Sequence, residues 1–157
     1  MLGLFQSKVF YGTQLGDLRR SHGHWKGTLD LPPCGIFGLS LAGSHDEPDE
    51  AAMALAKELP TRFSSLLPSI ETGLFEHYAP YREAFVAGEY PGDSCPQIKN
   101  AEGVWPYVTP EHVLIESFSG GLTVEIAFHV AWDEEHTVAA RFRDWQFIEL
   151  NGSVRSQ

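Results

Sequence analysis

Residues 122–132, LTVEIAFHVAW, constrain the fold more than any other stretch of this chain. Leu122, Val124, Ile126, Phe128, Val130 and Trp132 share one parity. Thr123, Glu125, Ala127, His129 and Ala131 share the other. A strand sends successive side chains to opposite faces, so this alternation specifies a strand with one face on a core and one toward water. That is the pattern of an antiparallel sheet. HVLIESF before it reads as a second strand, and FSGG at 118–121 as the hairpin turn between them. After Asp133 to Thr137 the chain returns as VAARF, with Val138, Ala140 and Phe142 in phase. Five-residue hairpin loops are common and Asp often begins their turns, so 133–137 reads as that loop. Trp145 and Phe147 fall on the opposite parity, which predicts a bulge or a strand end near Arg143-Asp144.

Strands are expected again at residues 1–43. KVFYG closes an extended run, and Gly12 to Gly23 reads as a polar loop holding Arg19 and Arg20. HWKGTLDL follows as a half-buried strand that Pro32-Pro33 stops, and IFGLSLAG alternates in the same way. The middle, residues 45–87, is helical. SHDEPDEAAMALAKEL has the Ser/Asp-rich, acidic start and the early proline of a helix N-terminus. Phe63, Leu66, Leu67, Ile70, Leu74, Tyr78, Tyr81 and Phe85 recur at helical spacing. Pro60 predicts a stop or kink, and Pro68 and Pro80 predict a split stripe, hence two helical segments. Residues 88–110 hold four prolines and three glycines and read as a long loop; strands resume over 111–150. The expectation is one α+β domain spanning 1–157. Its antiparallel sheet has two helical segments inserted between the N-terminal and C-terminal strands and packed on one face.

At 157 residues such a domain buries about 70% of the surface its unfolded chain exposes, so no metal or disulfide is needed to hold it. Cys34 and Cys95 have no C-x-x-C spacing; a disulfide between them is allowed and not demanded. The chain carries 21 acidic and 11 basic residues, a formal charge of −10. That balance argues against nucleic acid and against an anionic membrane surface. It suits a basic protein partner, whose encounter it would steer. The first ten residues lack the basic start and unbroken apolar core of a signal peptide, and no apolar run is long enough to cross a bilayer. A cytoplasmic location is the simpler expectation.

No phosphate cradle, dinucleotide fingerprint or nucleophile elbow is present. His22 and His24 form a His-x-His pair without a full ligand set. Asp133, Glu134, Glu135 and His136 could act as acid and base or bind a metal, with His129 a strand step away, but no fourth ligand lies near in sequence. No cofactor, metal or catalytic residue is assigned. The candidate binding residues are the loop aromatics Tyr90, Trp105 and Tyr107, because aromatic anchors dominate interface energies. Glu116 and Glu125, on exposed strand parity, and the acids at 46–50 would supply the complementary field. The alternatives are a metal-assisted hydrolase built on Asp133, Glu135 and His136, and a homo-oligomer that pairs through an exposed sheet edge.

Trp25-x-Gly27 in an early strand, a helical middle ending at a tyrosine such as Tyr78, and Trp132-Asp133-Glu134-Glu135-His136 form a pattern over most of the chain. By that pattern the chain resembles a bacterial family of small domains of unknown function. The W-D-x-E-H element is its most specific piece. Such domains resemble those found beside bacterial toxin systems, where small acidic proteins act as immunity partners. The resemblance implies an immunity-type binding protein that neutralises a basic toxin partner, and it carries over no catalytic residues. It also implies a structural role for Trp25, Gly27, Trp132, Asp133, Glu135 and His136, in which Trp132 plugs the core and Asp133 and His136 fix the turn.

Overall fold

The computed structural model describes residues 8–154. The part of the first extended run expected within residues 1–7, and the reading of those residues as no leader, lie outside the described residues. Among the described residues eight strands form one sheet in sequence order: β1 (Val9–Thr13), β2 (Gly16–Ser21), β3 (His24–Leu31), β4 (Gly35–Leu41), β5 (Val108–Phe118), β6 (Gly121–Val130), β7 (Asp133–Arg143) and β8 (Gln146–Val154). One long helix, α1 (Glu50–Val86), and a 3₁₀ helix (Ala101–Tyr107) lie between β4 and β5. The fold is α+β.

Four features correct the sequence expectation. First, the sheet is mostly antiparallel, but β4 and β5 pair in parallel, Gly38 with His112 and Leu41 with Ile115. Parallel neighbours need a long crossover, and α1 is that crossover. Second, residues 12–23 are not a loop. Thr13 pairs with Gly16 across a tight turn, and β2 then runs against β3 from Arg19–Lys26 to Ser21–His24. Its polar side chains hid it, because only Leu18 of this strand is buried.

Third, the helix does not split. Pro60, Pro68 and Pro80 all lie inside α1, and all three are exposed. A proline in a helix interior costs about 3 kcal/mol through a lost hydrogen bond and a clash. At an exposed position water can satisfy the freed carbonyl. The opposite stripe keeps the rod whole: Ala52, Ala56, Leu59, Phe63, Leu66, Ile70, Leu74 and Tyr78 are all buried. The N-terminus is capped by Asp49, whose carboxylate accepts from Ala52 N–H at 2.9 Å. Fourth, irregular chain covers only residues 87–100. The 3₁₀ helix follows, with Asn100 capping it through Gly103 N–H at 3.1 Å, and β5 begins at Val108.

Helix α1 packs across β3, β5 and β8 on one face of the sheet. Phe37 of β4 meets Phe63 of α1 and Phe128 of β6 edge-on, at 6.2 and 5.6 Å between ring centres, and so ties the two layers together. The helix-free face is polar. His24 meets Glu116 at 2.6 Å, and Arg141 bridges Glu125 at 2.8 Å and Glu149 at 2.6 Å. Trp25 is fully buried, donates its indole N–H to Ser44 O at 3.0 Å, and has Phe10 against its ring. A Cβ at Gly27 would lie 2.8 Å from Leu18 Cδ2, so the missing side chain makes room for the only buried residue of β2.

Candidate functional site

The β6–β7 hairpin differs from the five-residue loop read from the sequence. Val130 pairs with Asp133 and His129 with Thr137. Ala131 and Trp132 are therefore the turn, and Glu134, Glu135 and His136 bulge out of β7 with no partner residue on β6. The bulge exposes those three side chains and buries the two residues before them. Trp132 is fully buried, set edge-on to Tyr78 at 5.3 Å, with its indole N–H given to His77 Nδ1 at 2.9 Å. Asp133 holds the bulge: its carboxylate accepts from the backbone N–H groups of Glu135 and His136, both at 3.2 Å, from His136 Nδ1–H at 3.2 Å and from the Tyr81 hydroxyl at 2.6 Å.

These contacts set the charge states. Burial pushes the Asp133 carboxyl up, but the hydrogen bonds from Tyr81 and His136 and the His136 charge outweigh it and hold the group below the ordinary aspartate range. The Tyr81 hydroxyl is pushed up to about 12, by burial first and then by its bond to the Asp133 carboxylate. Burial lowers the His77 imidazole against the opposing pull of Asp133. A neutral His77 is what the Trp132 N–H requires, since only an unprotonated nitrogen accepts.

Opposite the hairpin stands the segment 88–100, pinned at several points. The Tyr78 hydroxyl donates to Pro96 O at 2.5 Å and accepts from Ile98 N–H at 3.0 Å. Arg82 donates to Cys95 O at 3.1 Å, and the Tyr90 hydroxyl to Trp132 O at 3.0 Å. Between this segment and the bulge lies an open cleft of about 900 Å³. Tyr81, Tyr90 and Tyr107 line it, with Asp93, Glu134 and Glu135; four lining side chains are carboxylates once Asp133 is counted, and none is lysine or arginine.

The structure brings together only some of the residues singled out in the sequence. Tyr90 and Tyr107 reach the cleft. Trp105 does not: it lies edge-on to Phe128 at 6.0 Å, bonds Glu71 through its indole N–H at 2.6 Å, and lines a separate apolar pocket of about 280 Å³ beside Cys34. Glu116 and Glu125 sit on the helix-free face and are already paired with His24 and Arg141. Of the acids at 46–50, Asp46 pairs with Lys8 and Asp49 caps α1. His129 has the parity opposite to Val130 and faces the helix-free side, whereas Asp133 turns toward α1. His22 forms the β2–β3 turn and contacts Ser21, while His24 contacts Glu116. Among the described residues no group of three or more His, Cys, Asp or Glu side chains is arranged to hold a metal ion. Cys34 and Cys95 are free thiols, and burial, with the Glu71 charge, pushes Cys34 up to about 11. His112 Nε2 and Ser40 Oγ are 2.7 Å apart, but Ser40 is fully buried under the sheet's polar face and closed to a substrate. Among the described residues no helix is long and apolar enough to cross a membrane.

Sequence reasoning missed His77, Tyr81 and Arg82, which hold the cleft together. The available signal was the change from Leu and Ile to Tyr along the helical stripe after residue 74. A tyrosine on a core face brings a hydroxyl that needs a partner, so it marks where the core meets a polar boundary.

Fold and site together define an α+β domain with one long crossover helix and an aromatic, acidic cleft where that helix ends beside the β6–β7 hairpin. The chain belongs to DUF6985, a domain of unknown function, which matches residues 15–154. No curated protein and no solved structure matches the chain.

Proposed function

We propose that this is a non-catalytic binding protein whose cleft receives part of a basic protein partner. The observation that carries the reading is the cleft wall: three tyrosines and four carboxylates, with no lysine or arginine among them. Tyrosine faces and carboxylates both favour a cation, and a chain of charge −10 would steer a basic partner toward them. The resemblance to bacterial domains beside toxin systems supports a biological role of the same kind, an immunity protein that occupies a basic toxin. The protein then acts by occupancy and needs no cofactor.

The test compares the tagged wild type with the triple variant Asp93→Asn, Glu134→Gln, Glu135→Gln. Both are exposed to a lysate of the source cells and washed at low and then high salt, and the retained proteins are identified by mass spectrometry. The expected result is a basic protein held by the wild type, released by salt and absent from the variant. Equal retention by the variant would place binding away from the cleft. Retention of no basic protein by either would sink the reading.

A further inference from the structure

Resting on that reading, we propose that the group this cleft takes from its partner is a guanidinium, so that an arginine side chain is the anchor. The argument begins with the carboxylates. Asp133 is spent on its own bulge, bonded to two backbone N–H groups, His136 and Tyr81. Glu134 and Glu135 are not: both are exposed, and among the described residues neither carboxylate has a hydrogen-bond or ion-pair partner. Both line the cleft, whose basic side chains stop at His136, itself bonded to Asp133, and include no lysine or arginine.

The second wall is aromatic and held in place. The Tyr90 hydroxyl is fixed to Trp132 O, and its ring is braced edge-on by Tyr81 at 6.5 Å and Phe85 at 5.9 Å. Tyr107 is anchored through its carbonyl, which accepts from Ala131 N–H at 2.9 Å, and its ring is part exposed. The nearby cation, Arg82, is committed to Cys95 O and to the Phe85 ring at 5.1 Å, so it does not neutralise the rim.

A planar guanidinium can stack on an aromatic face while donating in its own plane to carboxylates; an ammonium is a compact, strongly hydrated point charge that cannot do both as well. The molecule already contains one such arrangement. On the helix-free face Arg141 lies 4.6 Å over the Phe118 ring and bridges Glu125 and Glu149. The cleft presents the same two ingredients, an aromatic face and two carboxylates, without the arginine.

The experiment titrates the ¹⁵N-labelled protein with the peptide acetyl-Gly-X-Gly-amide, where X is arginine, lysine or the uncharged isostere citrulline. Amide shifts are followed by NMR. The arginine peptide should move the amides of residues 92–94 and 131–136 saturably. The lysine peptide should bind more weakly and citrulline should leave those amides unmoved. Glu134→Gln with Glu135→Gln should weaken the arginine peptide roughly tenfold or more, as expected for loss of charge-assisted hydrogen bonds. Tyr107→Leu should weaken it without altering the fold. Equal binding of lysine and arginine, shifts confined to other residues, or no shift with arginine would each overturn the guanidinium assignment. The lysate capture distinguishes the two readings: a salt-released basic protein that needs Glu134 and Glu135, with an arginine peptide that leaves the cleft unmoved, keeps the partner and removes the arginine.

Discussion

Strand β6 ends in two hairpins of opposite kinds. At its start, Ser119 and Gly120 make a two-residue turn with φ of 51° and 84°, and both are exposed. At its end, Trp132 of the turn and Asp133 after it are buried and tied to α1, and the exposed bulge follows them. The first turn is local: a glycine in left-handed backbone and two strands in phase account for it. The second exists because a distant helix supplies His77 and Tyr81 and a distant segment supplies Tyr90. A turn built by neighbours only reverses the chain, whereas a turn built by remote partners holds side chains in a set geometry beside a cleft.

That contrast is open to attack by mutation. The largest effect should come from Trp132→Ala. It empties a fully buried site against Tyr78 and orphans His77, and should cost about 4 kcal/mol in a denaturant melt. A cost under ~1 kcal/mol would mean that the hairpin is as local as its neighbour.

Next is Asp133→Ala, which removes the acceptor for Tyr81 and for two backbone N–H groups, at about 3 kcal/mol. Its pH signature follows from the sign of the shift. The folded carboxyl sits below its unfolded value, so its stabilisation is full above about pH 4 and is lost as pH falls further. The imidazoles of His77 and His112, lowered chiefly by burial, add an earlier loss that begins as pH falls below about 6.5. Melts between pH 8 and pH 3 should show both, and Asp133→Asn should flatten only the lower one.

At the alkaline end, Tyr81 ionises at about 12 in the folded protein, above the ordinary value of 10. Its contribution is therefore full below pH 10 and fades as pH rises toward 12. The late phenolate absorbance step should shrink in Tyr81→Phe, leaving the share of Tyr90, whose hydroxyl burial also pushes up. A step of undiminished size in that variant would mean that Tyr81 is not a late-ionising phenol.

Smaller again is Gly120→Ala in the local turn. Nothing lies within 4 Å of the added carbon, so only the left-handed backbone matters, at about 1 kcal/mol. The smallest is Glu134→Gln with Glu135→Gln, expected within about 0.5 kcal/mol of wild type, since both side chains are exposed and, among the described residues, unpaired. If that double change costs as much as the Asp133 change, the carboxylates belong to the bulge's structure and not to a binding rim.

The sequence by itself determined the strands β3 to β6 and the later half of β7 from Val138, the turn within residues 118–121, a helix entered through the acidic stretch after residue 45, and its buried stripe. Each is a short-range matter of parity, period or capping, written in adjacent residues. It also showed that Trp132 to His136 was unusual, without saying what the cluster did. Only the tertiary structure decided that three prolines leave the helix unbroken, that 16–21 is a strand, that β4 and β5 run parallel and that Glu116, Glu125 and Trp105 stand away from Tyr90 and Tyr107. Those outcomes depend on which side chains are buried and by what. The cleft belongs to the same group. Its carboxylates and tyrosines come from residues 81, 90, 93, 107 and 133–135, and no spacing rule connects them until α1 has crossed the sheet and brought Tyr81 to Asp133.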